Sequence, residues 1–206
     1  MQSLKQLLTY GLIFFGLLFT TTLSAIAVGS EATRALAEQG DADAQYQLCS
    51  EYIWSYDGAD LNKSFDWCLK AAKQGHTSAQ FSVGQSYYFG LSTVEGPTKG
   101  QGVLQNYHKA LKWFEKAASK GDSESMLHLG TMYQNGYGVR QDHTKAIQWF
   151  KKADSARGAF SLGLIYADGD GVKKDRVLAK EWYGKACDRG HQIGCDFYRK
   201  LNEAGY

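Results

Sequence analysis

The chain has 206 residues, 44% hydrophobic and 21% charged, with a formal net charge of +2. That length suffices for one domain with a substantial core, and the near-neutral balance excludes the basic footprint of a nucleic-acid binder or of a protein held on an anionic bilayer. One proline against 23 glycines fits many short helices joined by glycine turns.

At the N-terminus, Lys5 precedes an uncharged apolar run from Leu7 to Phe19, and Ser24-Ala25-Ile26-Ala27 supplies a small-x-small pattern. This is the three-part layout of a secretory signal peptide, predicted over 1–27 with cleavage after Ala27. The apolar run is shorter than the ~20 residues of a membrane-crossing helix. No Cys stands at the cleavage point to carry a lipid. An uncleaved anchor is the alternative reading. Without Lys5 the formal charge of +2 becomes +1.

A helix from Ser30 to Gln39 is predicted next, as half a unit. Four units follow, at about 41–75, 76–121, 122–156 and 157–190 of the 28–206 domain. Each ends in a related segment, Phe65-Asp66-Trp67-Cys68, Leu111-Lys112-Trp113-Phe114, Ile147-Gln148-Trp149-Phe150 and Lys180-Glu181-Trp182-Tyr183. Successive tryptophans are 46, 36 and 33 residues apart, a period near 36 with one insertion and one shortening. A second anchor moves with the first: Leu48-Cys49, Val83-Gly84, Leu129-Gly130 and Leu162-Gly163 each lead to a tyrosine (Tyr52, Tyr87, Tyr133, Tyr166). Apolar residues recur at three- and four-residue steps around both anchors, which predicts two helices, A and B, joined at Gly136-Tyr137-Gly138-Val139 and Gly169-Asp170-Gly171-Val172. The second unit has a long loop from Gly90 to Gly102 instead, and the join at 153–158 is about three residues short. A last helix, about Gln192 to Glu203, lacks the Leu-Gly pair. Terminal half-units of this kind are expected to cap an array.

The pattern Ala-x-x-x-Leu-Gly-x-x-Tyr…Gly-x-Gly-Val…Asp…Ala-x-x-Trp-Tyr/Phe-x-Lys-Ala resembles Sel1-like repeats, relatives of the tetratricopeptide repeat, over nearly all of 28–206. The resemblance implies an all-α fold, a right-handed α-solenoid of antiparallel helix pairs, whose concave surface holds a protein or peptide.

Four cysteines in an exported chain favour disulfides, with three pairings open. Across antiparallel helices, residues equally far from the turn stand level, which matches Cys49 with Cys68 and Cys187 with Cys195. The eight-residue spacing of the second pair also resembles the cysteine-rich secreted branch of the family. Free thiols are the alternative. A metal site is the rival, weakened by the lack of any Cys-x-x-Cys clip.

Signatures of catalysis are absent from the sequence, including His-Glu-x-x-His, Gly-x-Ser-x-Gly, a phosphate loop and Ser-x-x-Lys. The expectation is therefore a protein that is not an enzyme and holds no metal or cofactor. His76 and His191, beside inter-unit turns, read as surface residues. Trp54 and Phe89 align with Asn135 and Asp168 on the variable face of helix A. With Gln85, His128 and Thr131 they form the candidate partner-binding stripe, an exposed mixture of aromatic and neutral polar side chains.

The expected function is a periplasmic or secreted, monomeric scaffold that binds a protein partner on helix A. Family resemblance supplies two alternatives: a periplasmic immunity protein neutralising a secreted effector such as a phospholipase, and a β-lactam-binding or hydrolysing enzyme.

Overall fold

A computed structural model describes residues 31–53, 61–92 and 102–206. The expected signal segment 1–27, Trp54 and most of the 90–102 loop lie outside them. Ten helices run in chain order through the described residues: α1 (31–38), α2 (Ala42–Ile53), α3 (Leu61–Lys73), α4 (Thr77–Phe89), α5 (Tyr107–Ala118), α6 (Ser123–Asn135), α7 (His143–Ala153), α8 (Ala156–Asp168), α9 (Arg176–Asp188) and α10 (Gln192–Glu203). Helices α2/α3, α4/α5, α6/α7 and α8/α9 are the four A/B pairs. Each helix also packs on the next in sequence, and α4 touches α6, its counterpart one unit on. The result is a solenoid of antiparallel helix pairs with α1 and α10 at its ends. Its core is a series of small clusters, each bridging one unit and the next, and no described helix is long and apolar enough to cross a membrane.

Helix starts are fixed by side chains. Asn106, Asp122, Asp142, Ser155 and Asp175 each accept the backbone N–H three residues on, at the starts of α5 to α9. At α4 and α10 that acceptor is the Nδ1 of His76 and His191, both 3.1 Å from the amide. These two histidines are not the plain surface residues expected. Each imidazole also stacks on a ring of the preceding helix A, Tyr46 at 4.5 Å and Phe160 at 4.4 Å.

Pairing within a unit rests on two recurring contacts. First, the carbonyl of the anchor tyrosine accepts the N–H of the helix B cap residue: Asn106 to Tyr87 at 2.7 Å, Asp142 to Tyr133 at 2.8 Å and Asp175 to Tyr166 at 2.8 Å. Second, in the second, third and fourth units the residue after the tryptophan fills the hollow left by the helix A glycine. A Cβ on Gly84, Gly130 or Gly163 would lie 2.7, 2.5 or 2.4 Å from the ring of Phe114, Phe150 or Tyr183. The tryptophans themselves are half-buried between units. Each carries on its ring the lysine three residues on, at 3.8 to 4.6 Å: Lys70, Lys116, Lys152 and Lys185.

The insertion in the second unit leaves this frame intact. Gly90 takes the place of Gly136 and Gly169, and Gly102-Val103 that of Gly138-Val139 and Gly171-Val172, so residues 91–101 replace a single residue of the other turns. The base of the insertion is a two-residue antiparallel ribbon, Leu91–Ser92 (β1) against Gly102–Val103 (β2), with Leu91 opposite Val103. It is a small departure from an otherwise helical fold. At the shortened join, only Asp154 and Ser155 separate α7 from α8, and Asp154 adopts φ 42° where the other joins use Gly40, Gly75, Gly121 and Gly190.

Candidate functional site

The two disulfides join the pairs that the repeat register matches. Cys49–Cys68 ties α2 to α3 with Cα atoms 5.1 Å apart, and Cys187–Cys195 ties α9 to α10 at 4.5 Å. Among the described residues no cysteine is free, and no three His, Cys, Asp or Glu side chains gather as metal ligands.

The stripe on helix A is less exposed than its sequence suggests. Of the described members only Phe89 is exposed, at 63%, while Gln85, His128 and Thr131 are half-buried. The reason is the side-by-side packing of α4 and α6, which turns their facing residues towards each other. His128 lies flat on Phe114, ring centroids 4.6 Å apart and planes 2° from parallel. Tyr88 and Phe89 meet its other sides edge-on at 5.1 and 6.0 Å. Burial in this aromatic setting pushes the imidazole down to about 4, with the nearby Arg157 guanidinium adding to the effect and Asp122 opposing it. Thr131, one turn on, gives its hydroxyl to the Leu127 carbonyl at 3.1 Å.

Gln85 and Phe89 are brought together along α4. With Ser64, Cys68, Ser82 and Ser86 they line a cleft of about 250 Å³ between α3 and α4. Thus Gln85, Phe89 and His128 form one continuous patch, with Thr131 at its edge. Trp54 lies outside the described residues.

Three aromatic residues not singled out from the sequence extend the patch. Tyr107 and Tyr137 stack at 4.8 Å with planes 9° apart, and Tyr88 meets both edge-on, at 5.3 and 6.2 Å. Tyr137 is 37% exposed and Leu104, beside the ribbon, 89%. Their sequence signal is weak. Tyr137 is the variable residue of a Gly-x-Gly turn, and Tyr107 stands at a helix start with no periodic partner.

A model of the Sel1 repeat matches residues 42–76, 77–96, 98–122, 123–153 and 156–191. Among solved structures, a protective antigen present in uropathogenic Escherichia coli strains is 33% identical at a TM-score of 0.69, covering 85% of this chain and 41% of that one. A Sel1 repeat protein from Oxalobacter formigenes is 26% identical at a TM-score of 0.70, covering 85% and 76%. Among curated proteins, the chitin synthase regulator SKT5 of Saccharomyces cerevisiae is 34% identical over 93 residues, 44% of this chain. That segment is 12% of the yeast protein's length.

Proposed function

The chain belongs to the Sel1 repeat family, whose repeats mediate protein–protein interaction, and from that premise we propose that it is an exported scaffold. It holds a protein or peptide partner on its helix A face and carries out no catalysis itself. One observation carries this reading: Phe89 stands 63% exposed against the half-buried imidazole of His128, at the rim of the Gln85 cleft. A large apolar ring held in water by a rigid backing contributes little to the fold, and interface hot spots are built from such anchors. The stacked Tyr107 and Tyr137 widen the same surface. Export is supported by the two disulfides, which persist in oxidising compartments, and by the layout of residues 1–27.

The test is affinity capture from the envelope fraction by the disulfide-bonded protein, followed by mass spectrometry. A partner should be retained by the wild type and lost at least about tenfold in Phe89→Ala, a typical hot-spot effect. Helical CD and melting should stay as in the wild type. Trp54→Ala, at the aligned position of the first unit, should act in the same direction. Equal capture by wild type and Phe89→Ala would overturn the assignment of the face. Recovery of the chain from the cytoplasm with residues 1–27 intact would overturn export.

A further inference from the structure

Three of the residues that follow the repeat tryptophans do one packing job, and one of the three carries an atom the job does not need. Phe114 and Phe150 fill the glycine hollows of their units with purely apolar rings. Tyr183 fills that of Gly163 in the same way and is wholly buried, yet its hydroxyl has no hydrogen-bond partner. A buried, unpaired hydroxyl destabilises a fold by about 1–3 kcal/mol. The hollow itself gives no reason to keep it.

Tyr183 lines a cleft of about 350 Å³ between α8, α9 and α10, together with Asp168, Lys174, Arg176, Phe197 and Lys200. Three cations against one carboxylate leave the cleft positive. In the matching cleft between α3 and α4, Cys68 stands where Tyr183 does here and Gln85 where Lys200 does, and no charged residue lines it. Asp168 is close enough to oppose ionisation of the phenol, but no hydrogen bond joins the two. Burial, with Asp168, holds the phenol up at about 12, so it remains a hydrogen-bond donor throughout the physiological range.

We infer that this cleft receives a carboxylate of the partner held on the helix A face, hydrogen-bonded by the Tyr183 hydroxyl and flanked by Lys174, Arg176 and Lys200. The inference rests on the scaffold reading above and adds the chemistry of one end of the partner. A singly charged, planar group fits better than a phosphate, because Asp168 on the wall repels a second negative charge. The Phe197 ring, 5.0 Å from that of Tyr183, gives the carbon stem of an acidic residue an apolar wall.

The experiment is an amide NMR titration of the full chain with three short acetylated peptides. Gly-Glu-Gly amide presents a side-chain carboxylate, Gly-Gly-Gly acid presents a terminal one, and Gly-Gln-Gly amide presents neither. One of the two acids should shift the resonances of Asp168, Tyr183 and Lys200 saturably, and which acid does so identifies the source of the carboxylate. The glutamine peptide should not. Tyr183→Phe and Lys200→Gln should each weaken the response about tenfold, as expected on losing one hydrogen bond to a charged group. Tyr183→Phe keeps the ring that Phe114 and Phe150 already use, so it should fold at least as well as the wild type. No saturable shift with either acid, an equal shift with the glutamine peptide, tighter binding of inorganic phosphate, or unchanged binding by Tyr183→Phe would overturn the inference. If partner capture survives Tyr183→Phe and Lys200→Gln but is lost in Phe89→Ala, this cleft fails while the scaffold reading stands.

Discussion

Cys49 and Cys68 occupy, in the first unit, the two positions at which Gly84 meets Phe114 in the second and Gly163 meets Tyr183 in the fourth. A covalent bond thus replaces the interlock of a glycine hollow with an aromatic ring. Ser64, in line with Ala110, Ala146 and Ala179, adds a hydrogen bond to the Cys49 carbonyl at 2.8 Å. The second disulfide follows the same logic between units. Gln45 and Gln80 donate to the carbonyls of Ala37 and Ala72 eight residues earlier, and at the last join Cys195 is bonded to Cys187, also eight residues earlier.

Replacement of both Cys49 and Cys68 by alanine should therefore be costly, while Cys49→Gly with Cys68→Phe should restore much of the loss. Closing a loop of 19 residues' separation stabilises by about 3 kcal/mol in the chain-entropy model. Urea unfolding measures both variants. A glycine–phenylalanine pair no better than the alanine pair would show that the first unit cannot accept the interlock of its neighbours.

Gly163→Ala should lose about 1–3 kcal/mol, because its Cβ would stand 2.4 Å from the Tyr183 ring and that ring is fully enclosed. Tyr183→Phe should gain about 1 kcal/mol by removing an unpaired buried hydroxyl. Thermal and urea melts of the two variants, moving in opposite directions, check the packing and the polar cost separately.

The stability of the fold should fall on acidification through the His128 imidazole. Its folded value is about 4 against an ordinary 6.5. Above pH 6.5 both states are neutral and the full contribution is present. Between 6.5 and 4 only the unfolded chain takes up the proton, so the contribution is lost as the pH falls. Melting temperature as a function of pH should flatten over that window in His128→Phe, which keeps the stack on Phe114. Parallel curves for wild type and variant would remove His128 as the source.

Replacing residues 91–101 by a single tyrosine should recreate the Gly-Tyr-Gly turn of the third unit with little loss of stability. The contact that sets the α4–α5 pairing, Asn106 to the Tyr87 carbonyl, lies outside the excised segment. Helical CD and the urea midpoint should stay close to those of the wild type. A large loss would mean that the ribbon, and not this hydrogen bond, holds the pair.

The parts of the fold that repeat were legible in the sequence. Trp67, Trp113, Trp149 and Trp182 mark helix B, the Leu-Gly and Tyr anchors mark helix A, and antiparallel register pairs the cysteines. What sequence spacing did not reveal depends on neighbours far apart in the chain. His128 reads as a surface residue on α6, but it is covered by Tyr88 and Phe89 of α4 and by Phe114 of α5. Tyrosine and phenylalanine look interchangeable after tryptophan until the surroundings of the Tyr183 hydroxyl are seen. His76 and His191 cap helices in a position where Ser, Thr, Asp and Asn are the usual residues. Asp154 takes, in a join of two residues, the left-handed conformation that glycines take at the other joins.

The placement of the two disulfides reverses the usual weak points of a linear array. Stacked repeats unravel from their tips, since terminal units have a neighbour on one side only. Here one bridge clamps the first hairpin and the other rivets the closing helix α10 to the array. Opening fluctuations should thereby shift inwards, towards the two-residue join of Asp154 and Ser155 between α7 and α8. Hydrogen exchange should accordingly be slower around both bridges than at that central seam, and a protease should nick the middle of the molecule before it trims α10.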